Sequence, residues 1–265
     1  MAALNTISRS GSRFYVDPET GAKAPGVTSV LSMLPKGFLQ YWAAKEVATA
    51  AVDNIGSLVG LAMADRAGAI DYLKGAPRRV TKQAADTGSA AHDVFERLAR
   101  GEDVARVHPD LRRYADHFRE FLDAIQPEFL FLEDAVWSDE HNYAGSFDAI
   151  ARIGGETVVL DWKTTRSGVH EEVALQLAAY ANADRIVKAD TGESVPVPAI
   201  DAAAVLHVRP EGWKLVPVRH DPVLFQTFLH LRAVFDWERE GKRGVIGRPV
   251  ASGGEAETGT QRRAA

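Results

Sequence analysis

The chain of 265 residues contains no cysteine, which excludes disulfides, thiolate zinc sites and cysteine-ligated iron–sulfur clusters. Any metal must therefore be held by histidine, carboxylate or carbonyl oxygen. Also missing is any run approaching the roughly 20 consecutive apolar residues that cross a bilayer. The first residues have no basic region followed by an apolar core, so the expectation is a cytoplasmic chain with no membrane partner. Positive charge is not in excess either: 31 Lys and Arg stand against 36 Asp and Glu, a formal charge of -5. That balance does not advertise a polyanion partner, although a local basic cleft is compatible with an acidic whole and a carboxylate metal site itself adds negative charge. There is no internal repeat.

What the chain does have is 46% hydrophobic residues, enough to bury the core of one large domain. Arg13-Phe14-Tyr15-Val16, followed by Asp17-Pro18-Glu19-Thr20-Gly21, predicts a strand running into a turn and a hairpin. Leu39, Trp42, Ala43, Val47 and Ala51 then recur at helical spacing, so one face should pack and the other stay polar; the pattern continues, interrupted, to about Leu73. Lys74-Gly75-Ala76-Pro77-Arg78-Arg79 predicts a basic break. A second helical run carries Ala90, Ala91, Val94, Phe95 and Leu98 to a cap at Gly101, and Leu111, Tyr114, Phe118 and Leu122 form the inner stripe of a third.

Beyond Pro127 the character changes. Residues 129–137, 143–153 and 157–163 are strand-like runs between short turns, the pattern of an antiparallel meander. Val173, Leu177, Tyr180 and Ile186 mark a helix, 202–208 and 213–218 two more strands, and 222–237 a last helix. The expectation is an α/β fold: an N-terminal hairpin and helical region over 1–80, a core over 81–245 and a disordered tail over 246–265.

One strand carries the chemistry. In Thr157-Val158-Val159-Leu160-Asp161-Trp162-Lys163, the period of two puts Asp161 and Lys163 on one face and Val158, Leu160 and Trp162 on the other. The preceding run leads through Gly154-Gly155, so antiparallel pairing brings Asp148 toward Asp161. A solvated salt bridge explains any one such Asp. Two carboxylates beside an apolar run are harder to dismiss, because they repel unless a divalent cation joins them, and oxygen ligands suit Mg²⁺ or Mn²⁺.

Gly145-Ser146-Phe147-Asp148, Asp161-Trp162-Lys163-Thr164 and Gln176-Leu177-Ala178-Ala179-Tyr180, in this order and spacing, resemble the RecB-type branch of the PD-(D/E)XK nucleases, whose pattern is GxxD, (D/E)xK and QxxxY. Upstream, Thr87-Gly88-Ser89-Ala90-Ala91-His92-Asp93-Val94-Phe95-Glu96 resembles the helical motif of that branch. The likeness spans about residues 87–181, and the N-terminal segment is more loosely similar to phage-encoded and CRISPR-associated exonucleases.

The resemblance implies a restriction-endonuclease-like core, a mixed central sheet flanked by helices, with a helical N-terminal part. It implies a metal-dependent DNA exonuclease of phage or bacterial recombination, replication or repair, using Mg²⁺ or Mn²⁺ without an iron–sulfur cluster. Its partners would be single-stranded DNA or duplex ends and a recombination protein. A structure-specific endonuclease and a non-catalytic DNA-binding subunit are the alternatives. His92, Asp148, Asp161 and the carbonyl of Trp162 would ligate the metal. Lys163 would orient the attacking water or stabilise charge on the phosphate.

Around these residues the readings divide. Gln176 and Tyr180 share a helix face, for packing or for contact with Lys163 or the DNA backbone. Glu133 is a weak candidate for supporting the site, and Glu96 reads as a helix-surface acid. Arg166 and Thr164 are the preferred substrate contacts because they continue from Lys163; Arg78 and Arg79, with Lys74 and Lys82, are further phosphate candidates. Phe38, Tyr41 and Trp42 read as helix core in preference to a stacking surface for bases.

Overall fold

The computed structural model describes residues 5–250 and 253–254. Most of the tail expected over 246–265 lies outside the described residues, and 246–250 run exposed without regular secondary structure. The opening hairpin is a three-stranded antiparallel sheet of β1 (Thr6–Arg9), β2 (Ser12–Val16) and β3 (Lys23–Pro25), closed by the turn at 17–21. Five helices follow: α1 (Val27–Leu31), α2 (Phe38–Asp53), α3 (Ile55–Ala64), α4 (Arg66–Lys74) and α5 (Ala76–Ala99). The basic break at 74–79 is short, because Pro77 sits in the first turn of α5, where its missing N–H costs nothing. The boundary expected after residue 80 thus falls inside a continuous helix.

After α6 (Arg112–Ile125) come β4 (Glu128–Leu132), β5 (Ala135–Ser138), β6 (Tyr143–Ser146), β7 (Ala149–Ile153) and β8 (Glu156–Lys163). The chain continues through α7 (Glu172–Ala181), β9 (Arg185–Val187), β10 (Ser194–Pro196), β11 (Ala202–Arg209), β12 (Gly212–Val218) and α8 (Pro222–Asp236), and closes with a π-helical turn (Trp237–Gly241). A mixed five-stranded sheet has the order β12-β11-β8-β7-β4, in which only β11 and β8 run parallel. The class is therefore α/β with a mixed sheet.

Strand β8 is central, and it carries buried apolar residues on both of its faces. Val159 joins Ile150 and Val205 in a cluster with α1, α7 and α8, while Val158, Leu160 and Trp162 face α5 and α6. The fully buried Trp162 ring meets Phe118 at 5.3 Å and Phe95 at 6.0 Å, both edge-on. Such rings add about 0.5–1.5 kcal/mol per pair beyond area burial and lock α5 over the strand. Val27, Val30 and Leu31 lie in the same cluster as Val159, so the opening segment shares the main core.

The structure differs from the expected meander. Run 129–137 breaks at Glu133-Asp134 into β4 and β5, and run 143–153 breaks at Phe147-Asp148 into β6 and β7. Strands β4 and β7 stay with β8, whereas β5 and β6 enter a second antiparallel sheet of order β10-β9-β5-β6. Both strands change sheets at one level, where Glu133 N–H donates to the Asp148 carbonyl (3.0 Å) and Phe147 N–H to the Asp134 carbonyl (3.1 Å). Similarly, the helix expected to reach Ile186 stops at Ala181, and Ile186 pairs in β9 with Val136.

The helical front also departs from its amphipathic reading. Neither α2 nor α3 has a buried residue; Phe38, Tyr41 and Met63 are 63%, 82% and 87% exposed. Trp42 is half-buried, so the core assignment for this aromatic trio is overturned. The two helices meet at 91°, and among the described residues no single helix is long and apolar enough to cross a membrane.

Candidate metal centre

The sheet change places two carboxylates together. Glu133 stands at the kink with φ of 54°, a left-handed conformation that costs a non-glycine residue about 1–2 kcal/mol. Opposite it, Asp148 precedes β7, and since Ala149 pairs with Leu160, the ladder would next match Asp148 with Asp161. Instead of a backbone rung, Asp148 Oδ2 accepts the Trp162 main-chain N–H at 2.5 Å. A strand residue directs its N–H and C=O to one side, so the Trp162 carbonyl faces that same edge.

The third group comes from α5. His92 lies one position from the buried Ala91 and its ring meets Trp162 edge-on at 6.1 Å, which aims the imidazole at the kink. His92 Nδ1 is 3.3 Å from Asp148 Oδ1. Burial pulls the imidazole pKa down, but the hydrogen bond and charge of Asp148 outweigh it and leave it raised. One ligand atom each from His92, Glu133 and Asp148 lies within 4.8 Å of the others, a spacing that fits a single cation. Burial, reinforced by the Asp148 charge, pushes the Glu133 carboxyl up to about 8, and its buried Oε1 has no hydrogen-bond partner. A buried orphan oxygen beside a second carboxylate is what a cation would satisfy.

Asp161 stands outside this triad. Its Oδ1 accepts from Gln176 Nε2 at 3.0 Å, and Lys163 Nζ lies 2.5 Å from Oδ2. That ammonium is close enough for an ion pair but off the hydrogen-bonding direction, so Oδ2 is buried without an aligned donor. Burial pushes the Asp161 carboxyl up to about 6, with Lys163 pulling it back and Asp148 adding to the rise. Lys163 itself is partly exposed at the mouth.

Gln176 and Tyr180 both come from α7, and among the described residues neither makes a hydrogen bond with Lys163. Gln176 Nε2 also donates to the Tyr180 hydroxyl at 3.0 Å, and that hydroxyl donates to the Ser146 carbonyl at 2.7 Å. The buried tyrosine thus ties α7 to the residue before the kink, and Gln176 holds Asp161 in place. Gly145 explains itself here: a Cβ would stand 2.8 Å from Tyr180 Cε1 and 3.0 Å from Val27 Cγ2.

The basic candidates separate. Thr164 and Arg166 leave β8 directly from Lys163. Arg78 lies about 20 Å along α5 from His92 at 1.5 Å per residue. Its neighbour Arg79 stacks on Tyr72 and donates to the Tyr72 carbonyl, while Lys74 and Lys82 pair with Asp71 and Asp86. Glu96 accepts from Arg100, which also holds the Leu132 carbonyl. Glu133 is the residue that periodicity undervalued. Its signal was the acidic pair Glu133-Asp134 inside a strand-like run, where charge is a poor strand former. The sequence matches no protein-family model and no curated protein.

Proposed function

We propose that this chain is a metal-dependent nuclease, a DNA exonuclease with a restriction-endonuclease-like core. The observation that carries the reading is the His92, Glu133 and Asp148 triad with its orphaned buried oxygen, set beside the Asp161 and Lys163 pair. An ion pair alone accounts for Asp161 and Lys163, but it leaves Glu133 without a purpose. The donor set of one imidazole and carboxylate oxygens, with the Trp162 carbonyl on the same edge, fits Mg²⁺ or Mn²⁺. Held there, the ion would supply Lewis acidity toward a phosphoryl oxygen and a lowered pKa for water.

The chain's own residues do the rest. Asp161, fixed by Gln176, orients the Lys163 ammonium, which is placed to stabilise charge growing on a phosphate and to hold the attacking water. Asp148 is immobilised by the Trp162 N–H, so its other oxygen keeps one direction.

Linear and circular DNA, labelled and incubated with Mn²⁺, test the reading. Cleavage of linear DNA that EDTA stops and Lys163→Ala lowers by about 100-fold or more is expected, with Mn²⁺ binding retained in the variant. Cleavage that survives exhaustive EDTA treatment, or Lys163→Ala at the native rate, would overturn it. Opening of the circle would assign an endonuclease instead.

A further inference from the structure

A groove of about 570 Å³ runs between α2, α5 and the segment after β8, walled by Trp42, Gln83, Thr87, Tyr114, Thr164 and Arg166. We infer that this groove seats the bases of an unpaired DNA strand, with Trp42 as the stacking face and Arg166 as the phosphate contact, so that the substrate is a single-stranded end. The inference rests on the nuclease reading for its direction, and the groove's own features for its content.

Continuity comes first. Thr164 follows Lys163 and Thr87 lies five residues before His92 on α5, so the groove wall is built from the same two segments as the proposed reaction centre. Where α5 passes the segment after β8, at Gly88, a Cβ would stand 3.5 Å from Thr164 Oγ1. Charge comes second. The wall holds one cation and no carboxylate. Among the described residues Arg166 makes no hydrogen bond or ion pair through its side chain, whereas the nearby Lys82 and Arg79 are engaged. Its main chain is held: Arg209 donates to the Arg166 carbonyl and His207 Nε2 lies 2.8 Å from the Thr165 carbonyl. A preorganised loop with a free guanidinium suits a phosphate.

The aromatic wall decides which form of DNA. Helix α2 buries nothing in the core, and Phe38, one turn before Trp42, extends an exposed aromatic stripe away from the groove. Within a duplex the base faces are covered by their neighbours, and away from its ends only an unpaired base offers a face to an indole. A cleft of this size takes a small-ligand footprint, about one or two bases.

The test reads binding in EDTA, where hydrolysis is stopped, using a labelled oligothymidylate and a blunt hairpin duplex. Trp42→Ala should weaken oligothymidylate binding by about 5- to 100-fold, the cost of one lost stacked base, and change hairpin binding by less than about twofold. Trp42→Phe should recover most of the affinity. Arg166→Gln should lower the slope of log affinity against log salt by about 0.7, one phosphate contact fewer. Oligothymidylate binding unchanged in Trp42→Ala, or an equal loss on both ligands, overturns the groove. Should the protein cleave DNA while Trp42→Ala binds single strands normally, the groove fails and the nuclease reading stands. Selective loss in a protein that never cleaves sustains the groove and removes the nuclease.

Discussion

Asp148 Oδ2 accepts the Trp162 main-chain N–H at 2.5 Å, so a side chain completes the edge of β8 where β7 has ended. The carboxylate is both a sheet cap and a candidate ligand, and substitutions separate the roles. Asp148→Asn keeps an acceptor for the N–H but loses the charge; Mn²⁺ binding should fall at least about tenfold with little loss of stability. Asp148→Ala also strands a buried N–H and should cost a further 1–3 kcal/mol or so. Thermal melts beside Mn²⁺ titrations check this, and equal stability of the two variants would count against the cap.

Glu133 gives the opposite sign. Its carboxyl is half-buried, faces Asp148 and sits on strained backbone, so in metal-free protein it opposes folding. Glu133→Gln should raise the melting temperature measured in EDTA, by roughly 1–3 kcal/mol equivalent at neutral pH. Adding Mn²⁺ should stabilise the wild type more than the variant. A variant that melts lower in EDTA would show that the charge has another partner.

Gly145 is set by contact. Because Tyr180 is held by two hydrogen bonds and buried, its ring has no room to yield, and Gly145→Ala should cost about 1–3 kcal/mol by overpacking. Urea unfolding measures this directly. The double variant Gly145→Ala with Tyr180→Leu removes the ring and should recover part of the loss.

The hairpin is tethered through charge. Arg185 Nη2 donates to the buried Asp17 Oδ2 at 2.6 Å, and the same guanidinium holds Asp139 and Ser194. Burial pushes the Asp17 carboxyl up, but the Glu19 main-chain N–H and Arg185 outweigh it and leave it below its ordinary value. A depressed folded pKa contributes stability above the unfolded pKa and loses it as pH falls through the folded value. Asp17→Asn should therefore be less stable by about 1–3 kcal/mol at neutral pH, and the gap should close as pH drops below the carboxylate range. Melting curves across acid pH decide it; a constant gap would exclude the charge as its cause.

Some of the site was legible because it is local. Period two in 157–163 sets Asp161 and Lys163 on one face with Trp162 behind, and the helical spacing of Gln176 and Tyr180 puts both on one side of α7. What these faces meet was not legible. Among the described residues Gln176 hydrogen-bonds Asp161 and not Lys163, a choice made by how α7 packs on β8. The aromatics of α2 carry a helical pattern that does not say whether another element covers them, and none of the described residues buries Phe38 or Tyr41.

By itself, then, the amino-acid order determined the elements and the faces they present, since backbone periodicity is a property of a few consecutive residues. The order of Gly145, Asp148, Asp161 and Lys163 along the chain belongs to that level. Only the tertiary structure decided that Glu133 joins Asp148 and His92. That meeting depends on two strands leaving one sheet for another at the same level, a choice made by partners far away in the chain, which no local pattern encodes.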